Sequence, residues 1–162
     1  MKTRTIFKPG ICRLQAKKCK ETKEGDTIFI HADLCKFMEG SYFEQFIAEI
    51  YSFLGYDISW TKTTGDQGLD LIANRKVEDG TIERIGIQCK RYNGKVENSA
   101  VGICSKYFYK CEKAIVVTPS YFTASARELV DLLDVEIVGK TELNRLLKQI
   151  QELLLQQFHR EL

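Results

Sequence analysis

Proline and long apolar runs are what this chain has least of. Two prolines and eleven glycines in 162 residues argue against long linkers. No stretch approaches the ~18 consecutive apolar residues of a membrane span, and the start, MKTRTIFKPG, lacks the apolar core of a secretory signal. Internal repeats and low-complexity segments are also missing. The expectation from these absences is a cytoplasmic protein with no membrane partner. What is present suits one globular domain: 44% hydrophobic and 28% charged residues are ordinary values, and the length supports a single core.

Histidine is scarce too, with His31 and His159 the only two, and both read as surface residues. Six cysteines without an export signal are expected as free thiols. Cys89, Cys104 and Cys111 lie in apolar stretches and read as small core side chains. Cys12, Cys19, His31 and Cys35 are the remaining zinc candidates. Their spacing, C-x6-C-x11-H-x3-C, is looser than the short paired spacings of structural zinc sites, which weighs against a zinc-stapled interaction protein. Charge is unevenly placed. Residues 1–20 hold Lys2, Arg4, Lys8, Arg13, Lys17, Lys18 and Lys20 and no acid, so a chain of net +2 has a body of net −5. A basic arm on an acidic body suits a polyanionic partner such as nucleic acid.

The chain divides into a basic N-terminal extension, 1–37, and a folded domain, 38–162. TIFI (27–30) reads as a short strand. Phe43, Phe46, Ile47, Ile50, Tyr51 and Leu54 recur at helical spacing and Gly55 stops them. Ser41 is the expected N-cap, with Glu44 closing a capping box. At roughly 100° per residue Glu44 falls at the edge of the apolar stripe, while Gln45 and Glu49 point away. YDISW (56–60), LDLIANR (69–75) and RIGIQCKRY (84–92) read as strands, the last two joined by the turn signal EDGT (78–81). In the third, Ile85, Ile87 and Cys89 face one way and Gly86, Gln88 and Lys90 the other. A helix over 98–110, the apolar strand KAIVVTP, a helix over 123–133, the strand VEIV (135–138) and an amphipathic helix over 141–158 complete the order. The Leu146–Phe158 stripe reads as core or dimer surface. The pattern is α/β: a three-layer sandwich with a mixed central β-sheet flanked by helices.

The hairpin has a chemical consequence. Asp70 lies at the start of one strand, and Gln88 and Lys90 lie at the end of its antiparallel neighbour, so all three meet at one edge of the sheet. Glu44 can reach in from the first helix. Each residue alone has a plainer reading: Asp70 a turn cap, Lys90 a snorkelling surface group, Glu44 a capping acid. Together, two carboxylates and an amide oxygen are hard ligands suited to Mg²⁺, with Mn²⁺ as a substitute. An ammonium beside them can orient an attacking water or stabilise developing negative charge. That combination points to phosphodiester hydrolysis.

FEQFIAEIYSFLGYDI (43–58), TTGDQGLDLIA (63–73), IQCKRYN (87–93), VENSAV (96–101) and AIVVTPSYFTASA (114–126) together resemble the Mrr-type restriction endonuclease catalytic domain. This is a member of the PD-(D/E)xK nuclease superfamily, and the resemblance spans roughly residues 38–145. It implies a restriction-endonuclease-like fold and a Mg²⁺-dependent endonuclease acting on DNA. Asp70 matches the family's metal-binding aspartate, and Gln88 and Lys90 match a Q-x-K half-site in which glutamine replaces the usual acid. Glu44 matches the helix glutamate associated with that half-site. The resemblance thus assigns Asp70, Gln88 and Glu44 to the metal and Lys90 to the attacking water. Asp66 and Gln67 occupy a loop similar to the family's substrate-proximal turn, and Gly65 and Gly68 permit its backbone. Lys62, Arg91 and Tyr92 are weaker candidates for DNA contact.

One departure stands out. After NSAV the family usually continues with glutamine and an acid, whereas this chain has Gly102 and Ile103. The alternative reading is therefore a nucleic-acid-binding module that keeps the fold and cuts poorly or not at all. Cutting both strands of a duplex would favour a homodimer.

Overall fold

The computed structural model describes residues 31–61, 68–102 and 110–160. The first element among the described residues is a short helix, α1 (Ala32–Cys35), capped by His31, whose Nδ1 accepts a hydrogen bond from the Asp33 amide at 3.3 Å. The predicted apolar stripe then forms α2 (Gly40–Phe53), burying Phe43, Phe46, Ile47, Ile50 and Tyr51. Gly55, at φ 89°, supplies the left-handed residue that ends it.

The start of α2 differs from the capping-box expectation. Glu39, not Ser41, takes the extended cap conformation (φ −67°, ψ 157°), and its carbonyl accepts the Phe43 amide at 3.0 Å. The helix thus begins ahead of Ser41 and makes no side-chain cap hydrogen bond. Ser41 lies inside the first turn, where it cannot serve as the cap. Glu49 also departs from expectation: it is half-buried, with Oε2 shielded from solvent, while Gln45 is exposed as predicted.

Five strands form the sheet of the described residues: β1 (Asp57–Trp60), β2 (Leu71–Lys76), β3 (Ile82–Cys89), β4 (Lys113–Val117) and β5 (Val135–Val138). They lie in the order β1-β2-β3-β4-β5. The first three form an antiparallel meander, and β3, β4 and β5 run parallel. The turn at 78–81 forms as its sequence indicates: Val77 N–H donates to the Thr81 carbonyl at 2.9 Å, and Asp79 Oδ1 accepts the Thr81 amide at 2.8 Å. β3 is offset from the predicted 84–92, because the chain turns at Lys90, whose carbonyl accepts the Tyr92 amide at 3.1 Å.

The remaining helices are α3 (Asn98–Gly102), α4 (Ala124–Leu133) and α5 (Lys140–Arg160). α4 is capped by Thr123, whose side chain accepts the Ala126 amide. Part of the helix predicted over 98–110, and the TIFI strand, lie outside the described residues.

Alternation along the strands builds two cores. On one face Leu71, Ala73, Ile85, Ile87, Ile115 and Val117 pack against α2 and against Leu143, Leu147 and Ile150 of α5. Ala32 and Cys35 of α1, N-terminal to the boundary expected at residue 38, are buried in this same core. On the other face Ile72, Ala114, Val116 and Val135 meet Leu69, Val96, Val101, Phe122 and Ala126. β4 is therefore apolar on both faces, as a central parallel strand must be. The architecture is the expected α/β three-layer sandwich. Among the described residues, no helix is long and apolar enough to cross a membrane.

Of the four zinc candidates, Cys12 and Cys19 lie outside the described residues. Cys35 is buried in the core, and burial pushes its thiol up to about 12.

Candidate active site at the β2–β3 edge

Asp70 directly precedes β2, after a turn in which Gly68 adopts φ 81°. Its amide donates to the Ile87 carbonyl at 2.9 Å, extending the β2–β3 pairing by one step. Its carbonyl is held from the β1 side by the Thr61 amide at 3.1 Å. The side chain turns back onto the neighbouring strand, where Oδ2 accepts the Cys89 backbone N–H at 2.6 Å. This charge-assisted bond fixes the carboxylate between the positions of Gln88 and Lys90.

Gln88 lies on β3 opposite Val116 and is only 3% exposed. Its Oε1 is buried and has no hydrogen-bond partner among the described residues. An orphaned buried acceptor costs about 1–3 kcal/mol unless something binds it. Lys90 is half-buried, and its amide donates to the Val117 carbonyl at 2.8 Å, so its backbone abuts the end of β4. Glu44 stands half-buried on α2. The Cys89 thiol reports on all three charges. Burial pushes its pKa well above the usual range, Asp70 and Glu44 push it further, and Lys90 opposes them. The charges of Asp70, Glu44 and Lys90 thus all bear on the half-buried Cys89.

Among the described residues no three of His, Cys, Asp and Glu gather closely enough to hold an ion by themselves. A cation at this edge would therefore need the Gln88 amide oxygen alongside the carboxylates. The orphaned Oε1 and the hard oxygen donors fit Mg²⁺, which is content with a few protein ligands and several waters.

The weaker candidates separate. Lys62, Asp66 and Gln67 lie outside the described residues. Arg91 is drawn into the fold, its Nη1 donating to the Lys36 carbonyl at 3.1 Å, although its Nε remains buried without a hydrogen-bond partner among the described residues. Tyr92 is exposed. Sequence reasoning overlooked Cys89 as a site residue because its contribution is a backbone N–H, to which side-chain chemistry gives no clue. Its place between Gln88 and Lys90 was the available signal.

Comparison with known proteins bears on the family and the fold. The restriction endonuclease family model matches residues 35–147. Among solved structures, the DNA modification-dependent restriction endonuclease AspBHI superposes with a TM-score of 0.54 at 17% identity, covering 95% of this chain and 43% of that one. MspJI restriction endonuclease, solved in complex with a 27-mer oligonucleotide, gives a TM-score of 0.42 at 15% identity, covering 85% and 30%. The chain thus spans less than half the length of either enzyme. A search of curated proteins finds no match. With a family match across most of its length and the fold that match implies, the chain belongs to the restriction endonuclease family.

Proposed function

We propose that this domain is a Mg²⁺-dependent DNA endonuclease whose active site is the β2–β3 edge. The observation that carries the reading is the Asp70 carboxylate bonded to the amide of Cys89, the residue between Gln88 and Lys90. That bond brings together the two halves of the D…QxK pattern, which are well separated in sequence. In this reading Asp70, Gln88 and Glu44 hold the cation. When bound, the ion polarises the phosphodiester and helps supply hydroxide near neutral pH. Lys90 orients the attacking water and opposes the charge that develops on the phosphoryl oxygens. Asp70 is preorganised by the Cys89 amide, and the buried Gln88 oxygen regains a partner. Two-strand cleavage calls for two such sites, and a homodimer is the arrangement that supplies them.

Plasmid nicking with Mg²⁺, with Mn²⁺ and with EDTA tests the proposal. Wild type is expected to nick in either metal and not in EDTA, and Lys90→Ala to slow nicking by about 10²- to 10⁴-fold. Equal inertness of wild type and Lys90→Ala in every divalent metal would overturn it.

A second reading, a DNA-binding module that does not cut, is favoured by one observation: the described acids do not converge on an ion without the help of Gln88. It predicts DNA binding that needs no metal and survives Asp70→Ala.

A further inference from the structure

Beside the proposed active site the chain displays two exposed tyrosines on a tightly fixed backbone. Residues 90–95, KRYNGK, carry three cations and no acid, and residues 118–124, TPSYFTA, carry no charge at all. The two segments are stitched together. Ser120 Oγ donates to the Gly94 carbonyl at 2.6 Å, the Val96 amide to the Tyr121 carbonyl at 2.8 Å, and the Thr123 amide to the Val96 carbonyl at 3.0 Å. Both segments leave the same edge of the sheet, since the Lys90 amide bonds to the last residue of β4, Val117.

The side chains on this edge alternate between anchor and display. Ser120 and Phe122 are buried, while Tyr121 between them is 46% exposed, as is Tyr92. Tyr121 is further held by Lys140, whose Nζ lies 5.6 Å from the ring centroid. That ammonium is itself fixed by Asp33 at 2.8 Å. A solvent-facing ring held on both sides by buried neighbours has little entropy left to lose on binding. An exposed ring held in this way, with a second exposed ring and the exposed Lys95 on the segment stitched to it, suits a partner with flat π-faces and a phosphate backbone, which is single-stranded nucleic acid. Bases within a duplex are stacked on each other and offer no free face to a tyrosine.

We propose that Tyr92 and Tyr121 form a stacking platform for unpaired bases next to the scissile bond, with the exposed Lys95 meeting an adjoining phosphate. The preferred substrate is then DNA with an unpaired stretch at the cut site, such as a single strand, a flap or a bubble. This rests on the nuclease reading for the platform's place beside a reacting phosphate, but its binding test does not.

The experiment is fluorescence anisotropy in EDTA with the full chain, using a labelled 20-mer as a single strand and as the matching duplex. Wild type is expected to bind the single strand more tightly. Tyr92→Ala and Tyr121→Ala are each expected to weaken single-strand binding at least about fivefold and to leave duplex binding unchanged. Tyr121→Phe, which keeps the ring and loses the hydroxyl, is expected to bind as wild type does. Equal affinity for duplex and single strand, wild-type binding by both alanine variants, or a Phe variant as weak as the Ala variant would each overturn the platform. Tight single-strand binding with no cleavage in Mg²⁺ or Mn²⁺ would uphold the platform and sink the nuclease reading instead.

Discussion

The side chain of Asp70 and the main chain of Cys89 meet across the β2–β3 hairpin, carboxylate oxygen to amide nitrogen, at 2.6 Å. One aspartate therefore has two tasks that substitution can separate. Asp70→Asn keeps an oxygen able to accept the Cys89 amide but loses the charge, so it should melt near wild type and nick no plasmid. Asp70→Ala loses both, and an amide left without its acceptor should cost about 1–3 kcal/mol. Chemical denaturation of the two variants beside the nicking assay checks this.

Gln88 predicts an exchange of stability against function. Its amide oxygen is buried without a hydrogen-bond partner among the described residues, so Gln88→Leu, of similar size and wholly apolar at its tip, is expected to unfold at equal or higher denaturant concentration than wild type. The same variant should not nick DNA. Gln88→Glu restores the acid usual in the superfamily and should retain Mg²⁺-dependent nicking. A Gln88→Leu protein that cuts normally would remove Gln88 from the site.

At Gly86, on β3 two residues from Gln88, a Cβ would collide with Leu69 Cδ1 and sit 3.3 Å from Cys111 Sγ. Gly86→Ala must displace the Leu69 side chain, which is fully buried one residue before Asp70. Overpacking of this kind costs typically about 1–3 kcal/mol, read as a lower denaturation midpoint. Shortening the neighbour in the double variant Gly86→Ala, Leu69→Val should recover part of the loss.

Far from the site, Glu83 anchors a charged cluster at the start of β3. Its Oε2 accepts from the Tyr56 hydroxyl at 2.9 Å and from Arg75 Nη2 at 2.8 Å, and the Arg75 guanidinium lies 4.3 Å over the Tyr56 ring. Burial alone would raise its pKa, but the Tyr56 hydroxyl and Arg75 outweigh it and hold the carboxyl below its ordinary 4.5. A depressed native pKa stabilises the fold at pH above the unfolded value, and that contribution is lost as pH falls through the native one. Thermal melts from pH 7 down to pH 3 should therefore show a smaller acid loss for Glu83→Gln than for wild type, with the neutral-pH Tm of the variant already lower.

Much of this was legible in the sequence, for identifiable reasons. The Phe43–Leu54 stripe, the EDGT turn and the VEIV strand are set by local periodicity and turn chemistry, and the structure has all three. Asp70, Gln88 and Lys90 could be placed at one edge because hairpin pairing follows from the turn. The start of α2 was misread because Ser41 has the better capping chemistry, yet the backbone puts Glu39 at the cap. Tyr121 and Lys140 escaped notice because their contact links the end of β4 to the start of α5, and no local pattern encodes a pairing across a crossover.

β3 is the strand at which the meander and the parallel half of the sheet join, hydrogen-bonded to β2 on one side and β4 on the other. The hairpin can close early, being local, whereas β4 must return through a longer excursion. A nascent chain would thus hold Asp70 near Cys89 well before Val117 arrives to brace Lys90. Under the proposed nuclease reading, Lys90 is therefore braced by a more distant contact than the one that holds Asp70.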